Sequence, residues 1–140
     1  MESNKYLPLI GRILLGGPFV MSGLGKLAAY GGTVGYISAV GLPAAPLAYL
    51  AAVAIEVGGG LLLLAGYRVR PASLVMALFC LATAVFFHHN FADQNQMIHF
   101  LKNVMMAGGL LQIASFGAGA WSLDARLARS APRKVALGSN

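Results

Sequence analysis

The sequence predicts an all-α integral membrane protein, a bundle of four helices that cross the bilayer with both termini on the cytoplasmic side. Of its 140 residues 58% are hydrophobic and 10% charged, with mean hydropathy +0.72, whereas soluble domains carry about a quarter charged residues. Four apolar stretches, near residues 6–27, 45–67, 72–91 and 97–119, each approach the roughly twenty residues needed to cross a bilayer. Lys and Arg outside the spans gather in three segments, at Lys5, at Arg68 and Arg70, and at Arg126, Arg129, Arg133 and Lys134. A four-span topology puts all three segments on one face, and that face is then cytoplasmic. The net charge of +6 is thereby assigned to topology and not to nucleic acid.

The first span contains Arg12 and Pro18 and is too long for a signal-peptide core, so it is expected to stay in place as a helix. Gly11, Gly16, Gly17, Gly23 and Gly25 allow close approach of neighbours. Arg12 and Lys26, close to four turns apart, share one face with Phe19 and Ser22. The following segment, residues 30–46, is interrupted by glycine and proline and too short to cross, which predicts a short interfacial or re-entrant segment between the first two spans.

The second span carries Glu56 near its midpoint. Ala48, Ala52 and Gly60 stand at four-residue intervals around it, a seam of small residues with a carboxylate set into it. A carboxylate at such depth needs a partner, and a structural ion pair between Arg12 and Glu56 is the expected one. Residues 68–71 form a basic turn into the third span, and residues 88–96 a polar loop before the fourth. Trp121 suits an interfacial anchor, residues 122–129 an amphipathic continuation, and the chain beyond Pro132 a cytoplasmic tail. A single domain over residues 1–140 accounts for the whole length.

The remaining polar groups of the spans collect toward the outer half. Lys26, Glu56, His88, Lys102 and Asn103 are the candidate lining of a ligand pocket among Phe86, Phe87, Phe91 and Phe100. Cations, imidazoles and a deep carboxylate among aromatic rings suit a small anion or the carbonyl oxygens of a quinone headgroup. No metal site is assigned, because adjacent His88 and His89 point about 100° apart on a helix. No catalytic residue is assigned either. The single Cys80, inside an apolar run, excludes an intrachain disulfide and a CxxC pair.

Arg12, Phe19, Ser22, Gly23 and Lys26 in the first span are followed by Glu56, Gly58, Gly59, Leu64 and Gly66 in the second, by Arg70 and Ala72, and by a late run through His88, Lys102, Gly108 and Gly109 to the sequence Trp-Ser-Leu-Asp at 121–124. In these residues and their order the chain resembles the DoxX family. The resemblance implies a multi-pass bacterial inner-membrane protein, grouped with subunits of terminal and thiosulfate:quinone oxidoreductases, some relatives being linked to oxidative-stress resistance. It implies a redox protein partner beside the lipid bilayer and a quinone as the ligand, and it leaves a homo-oligomer open. The sequence has no flavin motif, no haem-ligand pair spanning two helices and no CxxC, which points to an accessory subunit at most. A non-catalytic scaffold or assembly factor is the alternative, with a small transporter behind it, since no inverted repeat is evident.

Overall fold

The structure, a computed structural model, describes residues 5–130. Among them all regular structure is helical. We label the helices α1 (Leu7–Ala28), α2 (Tyr30–Ala39), α3 (Ala45–Ala65), α4 (Val69–Phe87), α5 (Gln94–Phe116) and α6 (Leu123–Ser130). α1, α3, α4 and α5 are each long and apolar enough to cross a membrane. The tail expected after Pro132 lies outside the described residues.

Helix ends follow local chemistry. Pro8 and Pro46 lie in the first turns of α1 and α3, where a missing N–H costs nothing. α1 breaks at Ala29 (φ −123°, ψ 47°) and the chain turns at once into α2, the short helix expected between the first two spans. α2 stops before Gly41, whose φ of 87° ends helical bonding. α3 ends two residues earlier than the sequence suggests. Gly66 adopts φ 67°, with its N–H on the Leu63 carbonyl and the Tyr67 N–H on the Leu62 carbonyl, a Schellman arrangement.

α4 begins at Val69, inside the stretch read as a turn, and it ends at Phe87. Its start is set by a residue remote in sequence. Asp124 accepts hydrogen bonds from the backbone N–H of Arg68 (2.8 Å) and Val69 (3.2 Å), two of the donors a helix start leaves unpaired. α5 begins at Gln94, earlier than expected, because Asp93 caps it by accepting from the Asn95 N–H at 2.9 Å.

The four long helices pack chiefly as two antiparallel pairs, α1 with α3 and α4 with α5, joined through the middle of α3 and by α1 against α5. Phe19, Leu63, Met76, Cys80, Ala107 and Leu110 form the central core. α1 and α3 touch at glycine. A methyl added to Gly16 would lie 2.9 Å from the Gly60 carbonyl oxygen, and one added to Gly60 would lie 2.8 Å from that of Gly16. Backbone thus meets backbone at this level.

Residues Ala54–Gly59 of α3 form a π-helical segment. Buried residues of α3 fall at Ala45, Tyr49, Ala52, Glu56, Gly60 and Leu63. The two successive four-residue intervals around Glu56 overshoot the 3.6-residue turn of an α-helix. An i→i+5 segment widens the turn there, so Ala52, Glu56 and Gly60 stay buried together.

Three stability outcomes follow. Gly60→Val should lower the unfolding free energy by about 1–3 kcal/mol through overpacking, seen as a lower thermal midpoint in detergent. Gly58→Ala, whose methyl meets nothing within 4 Å, should leave the midpoint unchanged or slightly raised. Asp124→Ala should cost about 0.5–2 kcal/mol through loss of the α4 cap, and hydrogen exchange should localise the loosening to the first turn of α4.

Candidate functional site

Glu56 is 5% exposed, and its carboxylate is met from α1. Lys26 Nζ donates to Oε1 at 2.9 Å and to Oε2 at 2.8 Å, and to Ser22 Oγ at 3.0 Å. Ser22 Oγ in turn donates to Glu56 Oε1 at 3.3 Å. Ser22 and Lys26 stand one turn apart on α1, so a single helical face presents both groups to the carboxylate. Gly23 between them lets the helices close, since a methyl at that position would fall 3.1 Å from Glu56 Cβ and 2.5 Å from a methyl of Val57. The top of α1 is held by Tyr49, whose hydroxyl donates to the Lys26 carbonyl at 3.3 Å and whose ring meets Tyr30 edge-on at 4.9 Å.

The expected ion pair between Arg12 and Glu56 does not form. With Gly16 opposite Gly60 in antiparallel helices, Glu56 lies level with residue 20, eight residues or ~12 Å along α1 from Arg12. Arg12, 1% exposed, instead closes the far end of α3. It donates to the carbonyls of Leu63 (2.8 Å) and Leu64 (3.2 Å), and to that of Trp121. These carbonyls include the negative end of the α3 dipole, which suits a cation. The Arg12 role was hidden because its partners are backbone atoms.

Lys26 and Glu56 stand on the wall of a cavity of about 360 Å³. α2 contributes Thr33, Tyr36 and Ile37, α3 contributes Ala48, Ala51 and Ala52, and α4 contributes Phe79, Ala82, Thr83, Phe86 and Phe87, with His88 just beyond. Ala51 and Phe86 are exposed, so the cavity reaches the bundle surface between α3 and α4. His88 Nδ1 lies 3.1 Å from Gln96 Oε1, and its ring stacks on His99 at 5.0 Å.

Of the five residues expected to line a pocket, Lys26, Glu56 and His88 come together here. Lys102 and Asn103 do not. Lys102 is exposed on α5, and the Asn103 side chain donates to the His99 carbonyl one turn back. α5 packs on α4 and α1, away from the cavity. Phe91 and Phe100 likewise meet each other edge-on at 5.0 Å outside it. The contribution of α2 was not legible, although Tyr36 lies one helical turn from Thr33 in the segment read as interfacial or re-entrant.

The DoxX family profile matches residues 7–89, more than half the chain. The chain belongs to the DoxX family. It is 40% identical over 116 residues to inner membrane protein YqjF of Escherichia coli (strain K12), covering 83% of this chain and 88% of that protein. It is 38% identical over 129 residues to inner membrane protein YphA of the same organism, covering 89% and 92%. No solved structure matches. Four membrane-crossing helices and two inner-membrane relatives make this DoxX protein a multi-pass inner-membrane protein. The DoxX match includes every residue lining the cavity.

The Lys26–Glu56 pair has a double-mutant signature. Removing one partner of a fully buried pair costs ~3–5 kcal/mol, and Lys26, with 28% of its side chain exposed, should soften this to about 1–3 kcal/mol. Glu56→Leu and Lys26→Met should therefore each lower the thermal midpoint, while the double variant should recover most of the loss; additive losses would show that the two side chains are not coupled.

Proposed function

We propose that this protein binds the headgroup of a membrane quinone in the cavity beside Lys26 and Glu56, and serves as a subunit or partner of a quinone-linked oxidoreductase system, in the setting of oxidative-stress resistance. The observation that carries the reading is a lysine–carboxylate pair on the wall of a largely apolar, aromatic cavity that reaches the bundle surface between two membrane-crossing helices. A planar ring with oxygens at opposite ends needs aromatic walls and a few polar contacts. Phe79, Phe86, Phe87 and Tyr36 supply the walls. Lys26 supplies a donor for one carbonyl by exchanging its bond to Ser22, and His88, whose Nδ1–H donates to Gln96 Oε1, leaves Nε2 as an acceptor for the hydroxyl of the reduced, quinol form. Entry from between α3 and α4 suits a ligand dissolved in the membrane. Electrons would come from the protein partner, the chain acting as the binding subunit.

A scaffold reading draws on the same polar groups, because Ser22, Lys26 and Glu56 already satisfy one another. The two readings separate in one experiment on protein purified from membranes in mild detergent, with extracted quinone quantified by chromatography and co-purifying proteins identified. Wild-type protein should retain quinone, Glu56→Gln and Lys26→Ala should lose it at least tenfold, and Lys102→Ala should behave as wild type. Equal quinone in all four proteins would overturn the binding reading; a partner retained by all four would then support the scaffold.

A further inference from the structure

We propose that the end of the bundle opposite the quinone cavity carries a binding site for the phosphate headgroup of an anionic phospholipid, built from Lys5, Arg126 and Arg129 around Trp121. These cations line a cavity of about 580 Å³ whose other walls are Leu9, Ala120 and Ser122. Among the described residues, no carboxylate lines it. The nearest acidic residue in sequence, Asp124, is spent on the α4 backbone at 2.8 and 3.2 Å. The hydroxyl of Ser122 is also committed, donating to the Gly119 carbonyl and accepting from the Ala125 N–H.

Among the described residues, the side chains of Lys5 and Arg126 form no salt bridge, and Arg129 uses only Nε, on the Ala125 carbonyl. Guanidinium groups without carboxylate partners offer paired N–H donors that match phosphate oxygens. The surroundings select a lipid over a free anion. Tyr6 and Trp121 stack at 5.9 Å beside the cavity, with Trp121 53% exposed, the arrangement of an interfacial anchor. Leu123 and Leu127 stand exposed one turn apart on α6, so that helix lies with an apolar stripe toward the bilayer and its arginines beside the cavity. A headgroup held there has its acyl chains directed along exposed Ile10 and Ile13 of α1.

Held by basic residues near the ends of the described chain, such a lipid would join the start of α1 to α6. The site is independent of the quinone reading, sharing no residue with that cavity.

The test is native mass spectrometry of the full chain exchanged into detergent with phosphatidylglycerol or phosphatidylcholine. Wild type should retain one phosphatidylglycerol per chain in preference to phosphatidylcholine. Each cation near an anionic surface contributes about fivefold in affinity, so R126Q/R129Q should weaken retention about thirtyfold. R68Q/R70Q removes the same charge from the same end of the bundle outside the cavity and should weaken it less than threefold. Equal losses in the two double variants would reduce the effect to diffuse surface charge and overturn the site. Displacement of the lipid by millimolar inorganic phosphate would overturn the lipid assignment in favour of a free anion.

Discussion

A carboxylate inside a bilayer is tolerated only with a partner, and the identity of that partner is decided here by backbone contact rather than by charge. Gly16 and Gly60 bring α1 and α3 to backbone contact at one level, Gly23 lets them close again beside Glu56, and antiparallel geometry fixes the levels between. Lys26 falls within reach of Glu56; Arg12 does not. A residue larger than glycine at either position would have to part the helices, and the lysine and carboxylate would separate with them. The ion pair is a consequence of the glycine contact, and it in turn holds the two helices in that register.

The same register leaves Arg12 facing the end of α3, where it does different work. Its guanidinium binds carbonyls of two separate segments, α3 and the loop carrying Trp121, while Asp124 in the first turn of α6 caps α4. The Asp124 N–H donates back to the Gly66 carbonyl at 2.9 Å. One end of the bundle is thereby sewn by hydrogen bonds that join α1, α3, α4 and the approach to α6. The opposite end is closed less completely. α2 lies over it, but Ala51 and Phe86 leave an opening between α3 and α4. Hydrogen bonds between separate elements thus close one end of the bundle, and the opening lies at the other.

Length and hydropathy made the four long helices legible, because a bilayer imposes a minimum run of apolar residues and little else. Their ends were less so. The start of α4 depends on Asp124, more than fifty residues later, and no local signal marks Arg68 and Val69 as its beneficiaries. The presence of a charged network around Glu56 was legible from the cost of an isolated carboxylate. Its membership was not, because depth counted from a span's end carries an error of several residues, enough to exchange Lys26 for Arg12. Lys102 was grouped with the site on depth alone, and depth says nothing about which side of a bundle a helix faces. Ser22, already visible on the Arg12–Lys26 face, was the overlooked member, identifiable by its one-turn spacing from Lys26.

The π segment is where the pattern in the sequence and the geometry of the site meet. Four-residue spacing through Ala52, Glu56 and Gly60 drifts by about 80° over two intervals of an ideal α-helix, and all three are buried. The π segment removes part of that drift, so that the carboxylate and the close glycine contact are both presented to α1. The wider turn keeps both at the cost of poorer backbone hydrogen bonding over Ala54–Gly59. That cost is borne by the one stretch of the spans that holds a carboxylate, and it is offset only because the carboxylate is paired there. The irregular helix, the glycine contact and the ion pair are therefore one arrangement, in which each element makes sense only in the presence of the other two.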